Sequence, residues 1–189
     1  MSQIRKIECE RNGKVIRGLY EIVPTVHSDA RGYFVETYNK KDFEEEGLCM
    51  DFVQDNQSKS VKGVLRGLHY QKQFPQGKLV RVLSGQVFDV AVDLRKDSDT
   101  FGLWYGVLLS DENMKQFYIP EGFAHGFLVL SEEAVFAYKC TDFYHPGDEG
   151  GLLWNDPAIG VEWPLSDGME VLLSEKDKVQ PLFTDAFRF

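Results

Sequence analysis

In QVFDVAVDL, residues 86–94, polarity alternates with a period of two. Phe88, Val90, Val92 and Leu94 fall on one face, and Val87, Asp89, Ala91 and Asp93 on the other. Comparable β-rich runs are IRGLYEIVP, YFVETY, FVQDNQS, VLRGLHYQ, KLVRVLSG, LWYGVLLS, QFYIP, FLVL and AVFAYKCTDFY. Glycines separate them at short intervals, a pattern of many short strands joined by turns. LSGQV, between two such runs, predicts a tight hairpin turn. Helix is sparse: NKKDFEEEG predicts one short helix ending at Gly47, and SEKDK a second with Ser174 as its N-cap. Too little helix lies between the strands for parallel crossovers. The expected fold is all-β, an antiparallel jelly-roll barrel with a few short peripheral helices, in one domain spanning residues 1–189.

Composition narrows the class. The apolar fraction is 43% and the aromatic fraction 13%, enough for a packed core. No run approaches the ~18 apolar residues of a membrane span, and the N-terminus lacks the apolar core of a secretory signal. The three cysteines, Cys9, Cys49 and Cys140, form no CxxC pair and fit a reducing cytoplasm. A net charge of −9 opposes binding to polymeric nucleic acid or an anionic membrane. A small anionic ligand is still compatible, because a local group of cations can dominate inside a cleft.

VLRGLHYQ poses a chemical question: an apolar strand has no need of an arginine and a histidine. Strict alternation sends Arg66 and His69 to opposite faces. Gly67 offers a way out, since a strand glycine often marks a bulge that resets the side-chain phase. The expectation is that Arg66 and His69 both project into the barrel mouth. His27 and His145 lie among turn residues and read as loop histidines, whereas His69 and His125 lie among apolar neighbours.

Pro120, Gly122 and His125 resemble the second half-motif of metal-binding cupins. The first half-motif is degraded: Gln71 stands where a second histidine belongs, and the glutamate is absent. Two imidazoles without an acidic partner make a poor divalent site, so no metal is expected. A cavity-lining imidazole can instead move protons. Its orienting carboxylate could be Asp89, Asp93, Asp156 or Asp177. Tyr138 could supply an acid, although from the residues alone a core aromatic is the stronger reading. Arg31, Arg66 and Lys78, beside aromatics, suit a phosphate-bearing ligand with a planar base.

DARGYFVETY, FVQDNQSKSVKGVLRGLHYQ, PQGKLVRVLSGQVFDVAVDLR, FYIPEGFAHGFLVL, YKCTDFYHPGDEGGLLWNDPAIGVEWP and LLSEKD follow in order. Together, over residues 23–177, they resemble the dTDP-4-dehydrorhamnose 3,5-epimerase family, with its cupin-type double-stranded β-helix. The resemblance implies conversion of dTDP-4-dehydro-6-deoxy-D-glucose to dTDP-4-dehydro-L-rhamnose without a cofactor. It implies His69 as base, Asp177 as its orienting carboxylate, Tyr138 as proton donor and Lys78 as the cation beside the C4 oxygen. It assigns substrate contacts to Arg31, Glu36, Gln54, Asn56, Arg66, Lys78, His125, Glu149 and Lys176. It also implies a homodimer whose N-terminal segment reaches the neighbour. Two other classes compete, a metal-dependent cupin and a non-catalytic sugar-nucleotide binder. The missing metal ligands oppose the first, and an acid–base set that mere binding does not need opposes the second. Family members that act at one carbon, or on related keto-deoxysugars, share much of the pattern.

Overall fold

The computed structural model describes residues 3–189. Its strands are β1 (Ile4–Arg11), β2 (Lys14–Pro24), β3 (Val26–Asp29), β4 (Gly32–Val35), β5 (Gln54–Val61), β6 (Leu65–Gln71), β7 (Lys78–Ser84), β8 (Gln86–Asp93), β9 (Trp104–Ser110), β10 (Gln116–Ile119), β11 (Phe123–Val129), β12 (Glu133–Cys140) and β13 (Glu149–Gly151). The α-helix among the described residues is α1 (Lys40–Glu45). Its N-cap Asn39 accepts the Lys41 N–H at 3.1 Å, and Gly47 beyond its end adopts a positive φ of 76°. The helix expected in SEKDK is instead one 3-10 turn, Asp177–Val179.

A strand-rich chain with little helix is as expected, but the closed barrel is not. Six strands form one sheet in the order β1-β2-β10-β7-β12-β5, and five form another in the order β13-β6-β11-β8-β9. Among the described residues each sheet keeps two free edges, and no ladder joins one to the other. The two sheets meet through side chains, not hydrogen bonds. Between them lies a core to which both contribute, including Val80 and Phe136 from one sheet and Val87 and Phe127 from the other. The hairpin expected at LSGQV is also absent, because β7 pairs with β10 and β12, while β8 pairs with β11 and β9. The turn at Gly85 carries the chain from one sheet to the other. The reason lies in β8, where Val87 and Ala91 on one face and Val90 and Val92 on the other are all buried, so that both faces need cover.

That cover comes from the facing sheet on one side and from the C-terminal segment on the other. Val87 and Ala91 face the inter-sheet core, while Val90, Val92 and Leu94 pack outward against the C-terminal segment through Leu152, Ile159 and Ala186. Strand β1 has no run of alternating apolar residues and escapes a hydrophobicity reading. It forms an edge strand on β2, where charged side chains discourage further pairing. On the outer face of the six-stranded sheet, α1 inserts the fully buried Phe43 against Ile22 and Leu79.

Candidate active site

Period two and register together place the chemistry. In the six-stranded sheet, Cys140 lies opposite both Gln54 and Lys78, and Tyr138 opposite both Asn56 and Val80. Directly paired residues share a face, so these six side chains point the same way, toward the core that contains Val80. In the five-stranded sheet, His125 pairs with both His69 and Ala91, and Phe127 pairs with Asp89. Ala91 and Phe127 lie in the same inter-sheet core. The two faces therefore present a cluster of polar groups to each other across one space.

VLRGLHYQ is explained here. Along β6 the chain takes three steps from Arg66 to His69, while β11 takes two from Phe127 to His125. This is a bulge with its extra residue in β6. Gly67 holds it at φ +127°, and a Cβ there would sit 2.6 Å from Gly126 Cα and 2.8 Å from the His125 carbonyl oxygen. The phase reset lets Arg66 and His69 line the same cavity. Arg66 sits at its exposed end, with Nε donating to Ser60 Oγ at 3.1 Å.

The cavity has two lobes, of about 490 Å³ and about 270 Å³, which share His69, Lys78 and Tyr138. Arg66, Ser174 and Asp177 line the larger lobe, with Phe127 and Phe136 as its apolar wall. Gln54, Asn56, Tyr144 and Glu149 line the smaller one.

Two imidazole–carboxylate pairs stand in adjacent strands. His69 Nε2 is hydrogen-bonded to Asp177 Oδ1. Asp177 is nearly inaccessible, whereas a third of the His69 side chain is open to the cavity, at 33% exposure. Ser174 completes the support: its hydroxyl donates to Asp177 Oδ2 at 2.8 Å and accepts the Asp177 N–H at 3.1 Å. Burial pushes the Asp177 carboxyl up, but the His69 hydrogen bond and charge, Ser174 and Lys176 outweigh it and leave it below the usual carboxylate value. The ring's other nitrogen is left to accept a proton.

His125 Nε2 contacts both oxygens of Asp89, at 2.9 and 3.0 Å. Asp89 was one of four carboxylates that could have backed a histidine; it backs this one. Asp93 and Asp156 are structural. Asp93 accepts from Arg95, Ser98 and Thr100, and Asp156 accepts the N–H groups of Ala158, Ile159 and Phe183.

Two groups in the cavity lack partners. Among the described residues, neither the Lys78 ammonium nor the Tyr138 hydroxyl makes a hydrogen bond or ion pair within the chain. Burial pushes Lys78 below the ordinary lysine value, opposed by Cys140, Asp89 and Glu149. Burial, with Cys140, pushes the Tyr138 phenol up and keeps its proton on, although Arg66 opposes the shift. A desolvated cation and a half-buried phenol without partners cost stability, and such groups concentrate where a ligand completes them.

The other expected contacts divide. Glu149 and Lys176 form an ion pair at the rim of the smaller lobe. Arg31 and Glu36 do not line the cavity. Arg31 is exposed in the β3–β4 hairpin, paired with Asp29, and it lines a separate surface cleft of about 360 Å³ with His27 and Phe34. Glu36 accepts from Asn39 at 3.0 Å. Gln71 is buried, and its amide spans two loops: Nε2 donates to the carbonyls of Phe74 and Phe143, and Oε1 accepts the His145 N–H. No cluster of three or more His, Cys, Asp or Glu side chains able to hold a metal occurs among the described residues. Sequence reading missed the part played by Asp89 behind His125 and that of Tyr144 at the rim. Alternation put Asp89 on a face with Ala91, but nothing local named its partner.

Comparison with known proteins follows the same lines. The family model for dTDP-4-dehydrorhamnose 3,5-epimerase matches residues 14–185, beyond the sequence resemblance at both ends. A dTDP-4-dehydrorhamnose 3,5-epimerase of Methanothermobacter thermautotrophicus is 56% identical over 178 residues, covering 94% of each chain. One from Salmonella typhimurium is 59% identical over 165 residues, covering 86% of this chain and 89% of that one. A crystal structure of a Legionella pneumophila dTDP-6-deoxy-D-glucose-3,5-epimerase in complex with dTDP-4-keto-L-rhamnose superposes with a TM-score of 0.91. It is 50% identical and covers 98% of each chain.

Proposed function

This chain belongs to the dTDP-4-dehydrorhamnose 3,5-epimerase family, and from that premise we propose that it converts dTDP-4-dehydro-6-deoxy-D-glucose to dTDP-4-dehydro-L-rhamnose, with His69 as base and Tyr138 as acid. The observation that carries the reading is that one cavity holds an imidazole backed by a carboxylate on one sheet, and a phenol and an ammonium on the other.

The substrate's C4 ketone acidifies the hydrogens on C3 and C5. His69, with Nε2 turned to Asp177, takes one of these protons on its other ring nitrogen, and the Asp177 carboxylate stabilises the imidazolium formed. The C–H electron pair moves into the ring as an enolate, and its charge collects on the C4 oxygen. Lys78 faces that oxygen from the opposite sheet, in a site where burial strengthens the attraction. Tyr138 returns a proton to the same carbon from the other face, which inverts it. His69 then gives its proton to solvent water and the Tyr138 phenolate takes one back. With both groups reset, the same steps at the second carbon give the product, with no net change in protons or electrons.

Arg66, Gln54 and Asn56 bind the nucleotide, the guanidinium on phosphate oxygens and the amides on the base edge. His125, Glu149 and Lys176 contact the sugar-nucleotide around the cavity. Arg31 and Glu36 act from the partner of a homodimer. In support, the β3–β4 hairpin lies apart from the cavity and exposes Tyr33 and Phe34 at 62% and 67%. Among the described residues no helix is long and apolar enough to cross a membrane, and the three cysteines are unpaired. We place the enzyme in the cytoplasm, with a dTDP-sugar and its own second copy as partners.

Incubation with the keto-sugar nucleotide in deuterated water tests the reaction. Deuterium at both C3 and C5 with inversion at both is expected. Label confined to one carbon would make this a single-site epimerase.

A further inference from the structure

Asp89 has 0% exposure and lies in β8, beneath the cavity floor. Both of its oxygens are taken up by one nitrogen of His125. Across the cavity stands Lys78, whose ammonium has no partner among the described residues. The ionisable groups facing Lys78 are Cys140 in β12, Glu149 in β13 and Asp89 in β8, with His69, His125 and Tyr138 around the same space. The Cys140 thiol is pushed up by burial and is neutral near pH 7. Glu149 is already neutralised by its ion pair with Lys176. Asp177 is engaged with His69 and Ser174. Among the described residues, Asp89 is therefore the acidic group facing Lys78 that has no cation bonded to it when His125 is neutral. Burial pushes its carboxyl up, and the His125 contact and the Lys78 charge oppose that shift.

We propose that Asp89 is a positioning residue with two tasks in the same reaction. It holds the His125 ring with Nε2 protonated and turned away from the ligand, so that the other nitrogen meets the sugar as a hydrogen-bond acceptor. It also supplies the buried negative charge that keeps Lys78 protonated without touching it. The lysine's hydrogens then stay free for the enolate oxygen. A direct ion pair would occupy them. The inference rests on the function proposed above, since it needs an anionic intermediate at Lys78.

The test compares wild-type enzyme with Asp89→Asn, Lys78→Arg and the double variant. Wild-type turnover is measured first, because its absence refutes the parent reading and leaves Asp89 out of account. Given turnover, Asp89→Asn is expected to lower kcat at least ~10-fold, with dTDP affinity unchanged. Its alkaline limb of kcat should move to lower pH, as Lys78 gives up its proton more easily. In the Lys78→Arg background, where the cation cannot deprotonate, Asp89→Asn should move no limb. An alkaline limb at the wild-type pH in folded Asp89→Asn would overturn the charge role. A purely structural role would lower the melting temperature and leave the limb in place. Should Asp89→Asn fail to fold, imidazole 15N shifts of the wild-type protein still decide. An Nε2–H tautomer at His125 supports the assignment, and an Nδ1–H tautomer overturns it.

Discussion

His69 and Tyr138 reach one cavity from opposite sheets, His69 from β6 and Tyr138 from β12. An acid and a base on one strand face could only serve one side of a ligand. Divided between facing sheets, they flank it, as inversion at carbon requires.

The two residues can be separated by experiment. His69→Ala should abolish deuterium uptake at both C3 and C5, a loss of roughly 10²- to 10⁴-fold for a general base. Tyr138→Phe should retain proton removal and return label without inversion, with little change in stability, since the hydroxyl has no partner among the described residues. NMR of the product in deuterated water measures both. A wild-type rate of inverted product from Tyr138→Phe would rule out the phenol as acid.

Lys78 should trade stability for activity. Its folded-state pKa is depressed by burial. Below that value the charged lysine costs stability, and the cost is relieved as pH rises through the folded value toward the unfolded one. Lys78→Met should therefore melt at a higher temperature than wild type at neutral pH while losing turnover. The gap should narrow in alkaline buffer. A lower melting temperature at neutral pH would contradict this account.

The His69–Asp177 pair predicts the opposite slope. A carboxyl whose folded pKa is lowered adds stability that is complete above its unfolded value, and the contribution is lost as pH falls through the folded value. Asp177→Asn should melt below wild type at neutral pH, and the two curves should converge on acidification. Thermal unfolding across a pH series would show it; a gap of constant size would count against the pair.

Gly67→Ala should damage fold and site together. The positive φ costs about 1–3 kcal/mol for a residue with a Cβ, and that Cβ would collide with Gly126 and the His125 carbonyl. Lower melting temperature and loss of turnover are both expected, because relief of the clash must shift β6 against β11 and move His69 from His125. A variant that keeps full activity would show that the bulge is not needed to aim His69.

The residue pattern was legible for local reasons. Strands showed as alternation, the α1 boundaries as Asn39 and Gly47, and the bulge as a glycine between Arg66 and His69. The family motifs named the chemistry. Closure was not legible, because a barrel and two facing open sheets require the same alternating strands; only the edges at β1, β5, β9 and β13 distinguish them. The turn at Gly85 misled for a similar reason, since a glycine marks a change of direction but not which strand the chain then joins.

By itself, then, the sequence determined most of the strands, though not β1, β3 or β13, together with the bulge and the list of groups able to move a proton. Tertiary structure decided their partners. His69 meets Asp177 at a separation of 108 residues and His125 meets Asp89 at 36. Four aspartates looked alike from the chain because a carboxylate's role depends on what lies within hydrogen-bonding reach. That reach is set by sheet register and loop path, over distances along the chain that no local pattern encodes.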